Sequence, residues 1–383
     1  MSVAKTTYEI YTTGDKNFNR MVEELLNRCT STTGSIIQLT FFGAPSNNKE
    51  YIEQLNLIRE SVKSVFKSQI PLISYVAQKP LTGGLILEVG RLLDFEGKIN
   101  YKSNGGTHYI ETESNKTKSL IINILPSSIH NDIKIQSKEI FTHLENIFHL
   151  EGYDINSIIR QWNYIERITD FEGEHQHYQS FNDARSHFYS KTNWDNGYPA
   201  ATGIGTQHGG IMIDVIATMP KKENYIYVPL DNKLQVAAYD YSQDVLLGAE
   251  DKIFKEKTTP KFERAKAVTD GKQGRVYISG TAAIRGEDSL TNVGIEEQTR
   301  TTIENIKYLI SKENLKEAGI HAISDSSIDM LRIYLKNAED TQVVKDYMDN
   351  LFAAIPASYL LADVCREELL IEIEGIASFT VSD

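Results

Sequence analysis

Cysteine is close to absent, with only Cys29 and Cys365 in 383 residues. Two thiols so far apart build no disulfide framework, so a reducing, cytoplasmic setting is expected. Long apolar runs are missing too. No stretch approaches the roughly 18 consecutive apolar residues of a membrane span, and Met1-Ser2-Val3-Ala4-Lys5-Thr6-Thr7 has no apolar signal core. Positive charge is in deficit: 40 Lys and Arg against 52 Asp and Glu leave a net charge of −12. That excess argues against nucleic acid or an anionic membrane as partner. An anionic ligand must then be met by arginines gathered locally. Metal frames are lacking as well. His175, His177, His187 and His208 match no ligand spacing such as H-E-x-x-H and have no cysteine pair beside them, so neither a metal nor a cofactor is expected. Gly203 and Gly205 precede a strand instead of joining strand to helix, which disfavours a nucleotide cradle.

What remains is globular in composition, 40% hydrophobic and 24% charged, and long enough for two domains. A strand over 35–42 leads to a helix whose apolar face is Ile52, Leu55, Ile58, Val62 and Phe66. Strands at 71–77, 85–89 and 120–125 follow, then a helix through Ile140, Phe141, Leu144, Ile147 and Phe148. A break at Glu151-Gly152-Tyr153-Asp154 divides the chain into domains 1–150 and 151–383. Beyond it, Ile155, Ile158, Ile159, Trp162, Ile165 and Ile168 predict a helix capped by Asp154, with Arg160 and Trp162 as a packing pair. A short helix carries Phe181, Arg185 and Phe188. Strands are expected at 211–218, 225–229 and 234–239, and the charged stretch 250–266 reads as a solvated connector. The last third alternates strand and helix and ends in a strand. The class is α+β, with helices packed on one face of a sheet. Strand, glycine and helix recur at Leu39–Gly43 and Val276–Gly280, which hints at an internal duplication.

The terminal strand organises the chemistry. Period-2 alternation puts Leu369, Ile371 and Ile373 on one face, and Leu370, Glu372, Glu374 and Ile376 on the other. Two carboxylates bracketed by apolar neighbours fit either a wet acidic strand edge or a carboxyl held in an apolar site with its pKa raised, ready to act as an acid. Arg185, between Phe181 and Phe188 on a largely apolar helix face, needs an anion if buried, and a carboxylate suits its fork. Tyr178, a turn earlier, offers a hydroxyl for the same carboxylate or packs in the core.

Four blocks in order, Val276-Tyr277-Ile278-Ser279-Gly280-Thr281-Ala282, Gln298-Thr299-x3-Ile303-x-Asn305-Ile306, Tyr334-Leu335-Lys336 and Ile371-Glu372-Ile373-Glu374-Gly375-Ile376-Ala377, resemble the Rid/YjgF family over about residues 272–380. That resemblance implies a sheet backed by two helices and trimeric association. It departs at Ile355-Pro356-Ala357-Ser358, where Ser358 stands in place of the carboxylate-binding Arg of Rid deaminases. The middle of the chain, Arg160-Gln161-Trp162-Asn163-Tyr164-Ile165, Tyr178-x2-Phe181-Asn182-x2-Arg185, Pro199-Ala200-Ala201-Thr202-Gly203-Ile204-Gly205 and Pro260-x-Phe262-x-Arg264-Ala265, is similar to the chorismatases. These join Rid-like halves in one chain and cleave the enolpyruvyl ether of chorismate.

The resemblance implies two Rid/YjgF (chorismate mutase-like) βαβ layered domains with mixed sheets, the first degenerate and the second catalytic. It implies no cofactor, chorismate as substrate, and a monomer or homo-trimer. It places the general acid on Glu372, with Glu374 as fallback, a second catalytic role on Cys365, and substrate contacts on Arg185, Tyr178, Gly209, Gly210 and Arg366. Cys365 directly before Arg366, together with Gly209-Gly210, is similar to the members that release 3-hydroxybenzoate and pyruvate. A plain buried cysteine is the other reading of Cys365. The alternatives are a hydrolytic chorismatase giving a dihydroxy-cyclohexadiene carboxylate and a non-catalytic Rid-like binding protein.

Overall fold

A computed structural model describes residues 5–14, 17–352 and 355–382; the first four residues of the N-terminal reading lie outside them. The chain folds into three mixed sheets, each backed by helices on one face. The first contains β1 (Lys5–Thr13), β2 (Ser35–Phe42), β3 (Leu72–Val76) and β4 (Leu85–Leu93) in the order β1-β4-β2-β3. It is covered by α1 (Phe18–Cys29) and α2 (Asn48–Phe66), which bury Leu25, Leu26, Leu55, Ile58 and Val62 against Leu39, Phe41 and Leu87. Each such fully buried side chain contributes about 1.5–3 kcal/mol. Asn47 caps α2, accepting from the Glu50 amide.

The second sheet runs through β5 (Lys98–Asn104), β6 (Thr107–Glu113), β7 (Thr117–Ile124), β8 (Ile158–Glu166), β9 (Ala200–Thr206) and β10 (Ile211–Pro220), in the order β9-β8-β10-β7-β6-β5. Helices α3 (Ile133–Glu151) and α4 (His177–Tyr189) pack on it through Phe141, Leu144, Phe148, Phe181 and Phe188. Because β5–β7 precede residue 150 and β8–β10 follow it, the expected division at 150/151 runs through a sheet. The helix expected over 155–168 is instead strand β8. Sandwiched between β9 and β10, it is buried on both faces up to Glu166. Such a strand shows no alternation, and its apolar residues fall at helical spacing by coincidence.

The third sheet contains β11 (Ile226–Leu230), β12 (Ala265–Thr269), β13 (Gln273–Ala282), β14 (Ser327–Leu335), β15 (Ala357–Leu361) and β16 (Ile371–Thr380), in the order β11-β12-β13-β16-β14-β15, with the short segment Lys79–Pro80 pairing antiparallel on the outer edge of β15. Helices α5 (Ile295–Leu309) and α6 (Thr341–Leu351) cover it. The strand expected at 234–239 is loop, part of the long connection from β11 to β12.

The sheets repeat one plan. In each, a parallel pair (β2 with β3, β8 with β9, β14 with β15) lies beside an antiparallel strand (β4, β10, β16) that bonds to the first strand of the pair. Register matches across all three. Glu88 and Ser74 both align with Thr40, Asp214 and Thr202 with Trp162, and Glu374 and Ser358 with Arg332. The expected duplication is thus a triplication. The hydroxyl of each sheet donates to the carboxylate of the next: Ser74 to Asp214 (2.8 Å), Thr202 to Glu374, and Ser358 to Glu88 (2.7 Å). This closed ring sits beside an apolar cluster drawn from all three sheets, including Phe42, Ile86, Trp162, Met212, Tyr334 and Leu360.

Candidate active site

Strand β16 brings Glu372 and Glu374 to the face turned toward the second sheet, and their surroundings separate them. Glu374 accepts from Thr202 and Arg160, from Arg332 at 3.1 Å and from the Tyr334 hydroxyl at 2.6 Å. Burial pushes its pKa up, but the two guanidiniums and two hydroxyls outweigh that and hold it below the usual carboxylate range. Arg332 also pairs with Glu88 at 2.7 Å. Glu374 is therefore an ionised member of the ring.

Glu372 receives no hydrogen bond from any described residue. Burial, then the charge of Glu374, raises its pKa to about 8; Arg160 and Arg264 pull the other way without pairing with it. Its carboxyl is protonated at neutral pH. Two neighbouring carboxyl groups pushed in opposite directions mark an acid and an electrostatic partner. The acid needs room. A Cβ on Gly280 would lie 2.0 Å from Glu372 Oε1, so only glycine fits against it.

Glu372 faces a cavity of about 70 Å³ that Tyr178, Asn182, Tyr241, Arg264, Cys365 and Arg366 also line. Arg264, only 4% exposed, donates to the Tyr241 hydroxyl and the Val236 carbonyl, each at 2.6 Å, and its Nε has no partner. Arg366 is held by the Glu287 carbonyl (2.7 Å) and Ser289 Oγ (3.1 Å), with its guanidinium 5.0 Å from the Tyr241 ring. Arg185, 1% exposed, lies one turn past Asn182 and donates to its Oδ1 at 2.6 Å; its Nε is likewise orphaned. Among the described residues none of these three arginines has a carboxylate partner. Arg264 and Arg366 line the cavity, whereas Arg185 does not and meets it only through Asn182; unpaired cations there, in a chain of net charge −12, suit an anionic ligand.

Tyr178 lines the cavity with a phenol that burial holds protonated, packed against Gly203. The Cys365 thiol, pushed up to about 12 by burial and by Glu372, stays neutral. It lines the cavity as a small group and is no thiolate nucleophile. Gly209 and Gly210 lie elsewhere. They form the β9–β10 turn with positive φ, their amides donating to Asn48 (2.8 Å) and Glu166 (2.7 Å). The glycine beside the acid is Gly280. Arg160 and Trp162 do stack, 4.5 Å from guanidinium to ring, but on a strand. Ser358, where Rid deaminases carry Arg, donates to Glu88, so a carboxylate already fills that position.

Sequence reasoning missed Arg264, placing it in a solvated connector. The residues from Glu263 to Thr269 are buried instead. Pro260-x-Phe262-x-Arg264 was the available signal: an arginine flanked by apolar groups in a charged stretch. Among the described residues no group of three metal-binding side chains converges, and no helix is long and apolar enough to cross a membrane.

Residues 94–217 match the family model of the chorismatase FkbO/Hyg5-like N-terminal domain, and residues 259–379 match that of endoribonuclease L-PSP. The chain joins an FkbO/Hyg5-like chorismatase N-terminal domain to a Rid/L-PSP domain. The chorismatase-type domain supplies α4 with Tyr178, Asn182 and Arg185, and the L-PSP domain supplies Arg264, Gly280, Cys365, Arg366 and Glu372. A 3-hydroxybenzoate synthase of Streptomyces hygroscopicus is 31% identical over 59% of this chain and 65% of its own. A chorismatase from the same organism is 28% identical over 61% and 65%. The matched stretch is thus just under two thirds of either relative. A solved chorismatase crystal structure superposes over 98% of this chain and 99% of its own, with a TM-score of 0.70 at 19% identity, a likeness of fold.

Proposed function

We propose that the protein cleaves the enolpyruvyl ether of chorismate, releasing pyruvate and 3-hydroxybenzoate. One observation carries this reading: a buried, protonated Glu372 faces a cavity ringed by arginines that lack carboxylate partners. Chorismate is a dianion with an acid-labile enol ether. Arg264 and Arg366 take one carboxylate, and Arg185 with the Tyr178 hydroxyl takes the other. Glu372 delivers its proton to the enolpyruvyl methylene, and the cation that develops is stabilised by the carboxylate left behind and by ionised Glu374. The substrate's own 4-hydroxyl then attacks C3 as the C3–O bond to pyruvate breaks, its proton returning to the Glu372 carboxylate; the 3,4-oxide so formed opens at its C4–O bond, loses the C3 proton and takes one up on oxygen, which restores aromaticity. The two products together contain every atom of the substrate, so neither water nor a cofactor is consumed.

The cavity of about 70 Å³ falls below the roughly 300 Å³ at which ligand pockets usually begin. Substrate entry therefore requires outward movement of the covering residues Tyr241–Leu247 and Pro260–Phe262. The relative named 3-hydroxybenzoate synthase favours the aromatic product over the hydrolytic one. Incubation with chorismate, following pyruvate and identifying the ring product by mass and absorbance, tests the reading. Pyruvate with 3-hydroxybenzoate supports it. A product heavier by one water assigns the hydrolytic reaction, and no pyruvate leaves a binding protein.

A further inference from the structure

A second cavity, of about 230 Å³, opens one turn further along α4. One wall is aromatic. The ring centroids of Tyr189 and Trp194 lie 4.5 Å apart, those of Trp194 and Tyr198 5.2 Å, and those of Tyr189 and Tyr198 6.0 Å. The rest of the lining comes from residues 254–261 and includes Phe254, Glu256 and Lys261. Residues 258–262 form a partition: Pro260 and Phe262 line the Glu372 cavity, whereas Thr258, Thr259 and Lys261 line this one.

Three observations point to an anionic ring as occupant. Lys261 Nζ donates to Thr259 Oγ1 at 2.8 Å, and among the described residues no carboxylate pairs with it. Burial and the charge of Arg185 disfavour its ammonium more than Glu256 and Asp240 support it, so an incoming anion stabilises it. Ser186, a lining residue 6% exposed, holds a hydroxyl with no partner. Glu256 opposes an anion weakly, since it is exposed and water screens it. Aromatic faces select a flat ring, and an ammonium selects a carboxylate.

We propose that this pocket is a second binding site, for a one-ring aromatic carboxylate, with the ring against Trp194 and Tyr198 and the carboxylate on Lys261. The inference rests on the proposed reaction in one respect: that reaction releases such a molecule across the partition.

The test uses the full chain and 3-hydroxybenzoate as probe, counting bound equivalents by equilibrium dialysis and following tryptophan fluorescence. Trp162 is buried between two guanidiniums, so Trp194 carries the response at this site. Two equivalents are expected. Lys261→Met should weaken one of them at least tenfold and leave the affinity of the other in place. Trp194→Phe should abolish the fluorescence response, and cyclohexanecarboxylate, charged but not flat, should bind at least tenfold more weakly. A single equivalent, or a second one indifferent to both substitutions, overturns the proposal. Pyruvate release by the same preparation separates the two ideas. Turnover with one equivalent removes the pocket alone, and two equivalents without turnover keep the pocket and remove the reaction.

Discussion

Replacing Glu372 by Gln should abolish turnover and, above neutral pH, make the protein more stable. The folded pKa of about 8 lies well above the ordinary 4.5. For an acid raised on folding, the native state binds more protons than the unfolded chain between those two values. Stability therefore falls as pH rises through that window. At about 1.4 kcal/mol per pKa unit, the loss is on the order of 3 kcal/mol at pH 7 and 4 kcal/mol or more above pH 8. The glutamine amide titrates nothing and escapes this loss. Thermal melts of the two proteins from pH 5 to 9.5 should start together and diverge by several degrees, the variant melting higher in alkali. The wild-type kcat/KM should fall about tenfold per pH unit above the same midpoint, because the acid must carry its proton. Parallel melting curves across the range, or a rate independent of pH up to 9.5, would refute the assignment of a protonated Glu372.

Arg264→Met removes a buried cation from the anion site and should raise KM for chorismate by about 30-fold or more, with a smaller change in kcat, read from initial rates. Cys365→Ser should keep kcat within a few-fold, since the thiol is held neutral; a loss beyond about 100-fold would make the sulfur a chemical participant. Gly280→Ala puts a methyl where Glu372 Oε1 sits and should cost about 100-fold in kcat with an unchanged far-UV spectrum. Ser74→Ala opens the ring, leaving Asp214 with Asn123 as its remaining partner, and should lower stability by about 1–3 kcal/mol, measured as a shift in urea midpoint without loss of activity.

The carboxyl pair was legible because alternation on β16 needs only one strand. Glu372 and Glu374 share a face whatever surrounds them, and Leu370 and Ile376 mark that face as not simply wet. Their division of labour was not legible. It depends on Arg160, Thr202 and Arg332, each on another strand, and the first two in another sheet far back along the chain. Arg160 was hidden doubly, since β8 is buried on both faces and its apolar spacing mimics a helix. Arg264 was lost because Glu250–Lys266 is charged throughout, and charge count alone does not distinguish a solvated connector from one that ends against a buried cavity. Gly209-Gly210 drew attention as a pair, yet their positive φ serves a turn against Asn48 and Glu166. Gly280, a lone glycine at a strand end, is the one the chemistry needs. The ring of hydroxyls and carboxylates left no local trace, because Ser74, Thr202 and Ser358 are ordinary strand residues until three sheets meet.

The triplication also shows why the three clefts are not equivalent. Two residues before each ring carboxylate, the antiparallel strand turns a side chain toward the neighbouring sheet: Ile86 before Glu88, Met212 before Asp214, Glu372 before Glu374. Ile86 and Met212 pack in the shared apolar cluster and close their clefts. Glu372 alone is titratable, and only there does a lone glycine, Gly280, leave space beside it. The ring carboxylate that joins the third sheet to the second is thereby also a fixed negative charge that adds to burial in raising the pKa of Glu372. Placed two residues away on the same strand face, it cannot be moved without loosening the sheets. A structural ion and a catalytic proton are thus coupled by the period of one strand. Weakening the ring at Thr202, which donates to Glu374, should consequently disturb the acid, whereas the same change at Ser74, bound to Asp214 in another cleft, should cost stability and leave the pH profile in place.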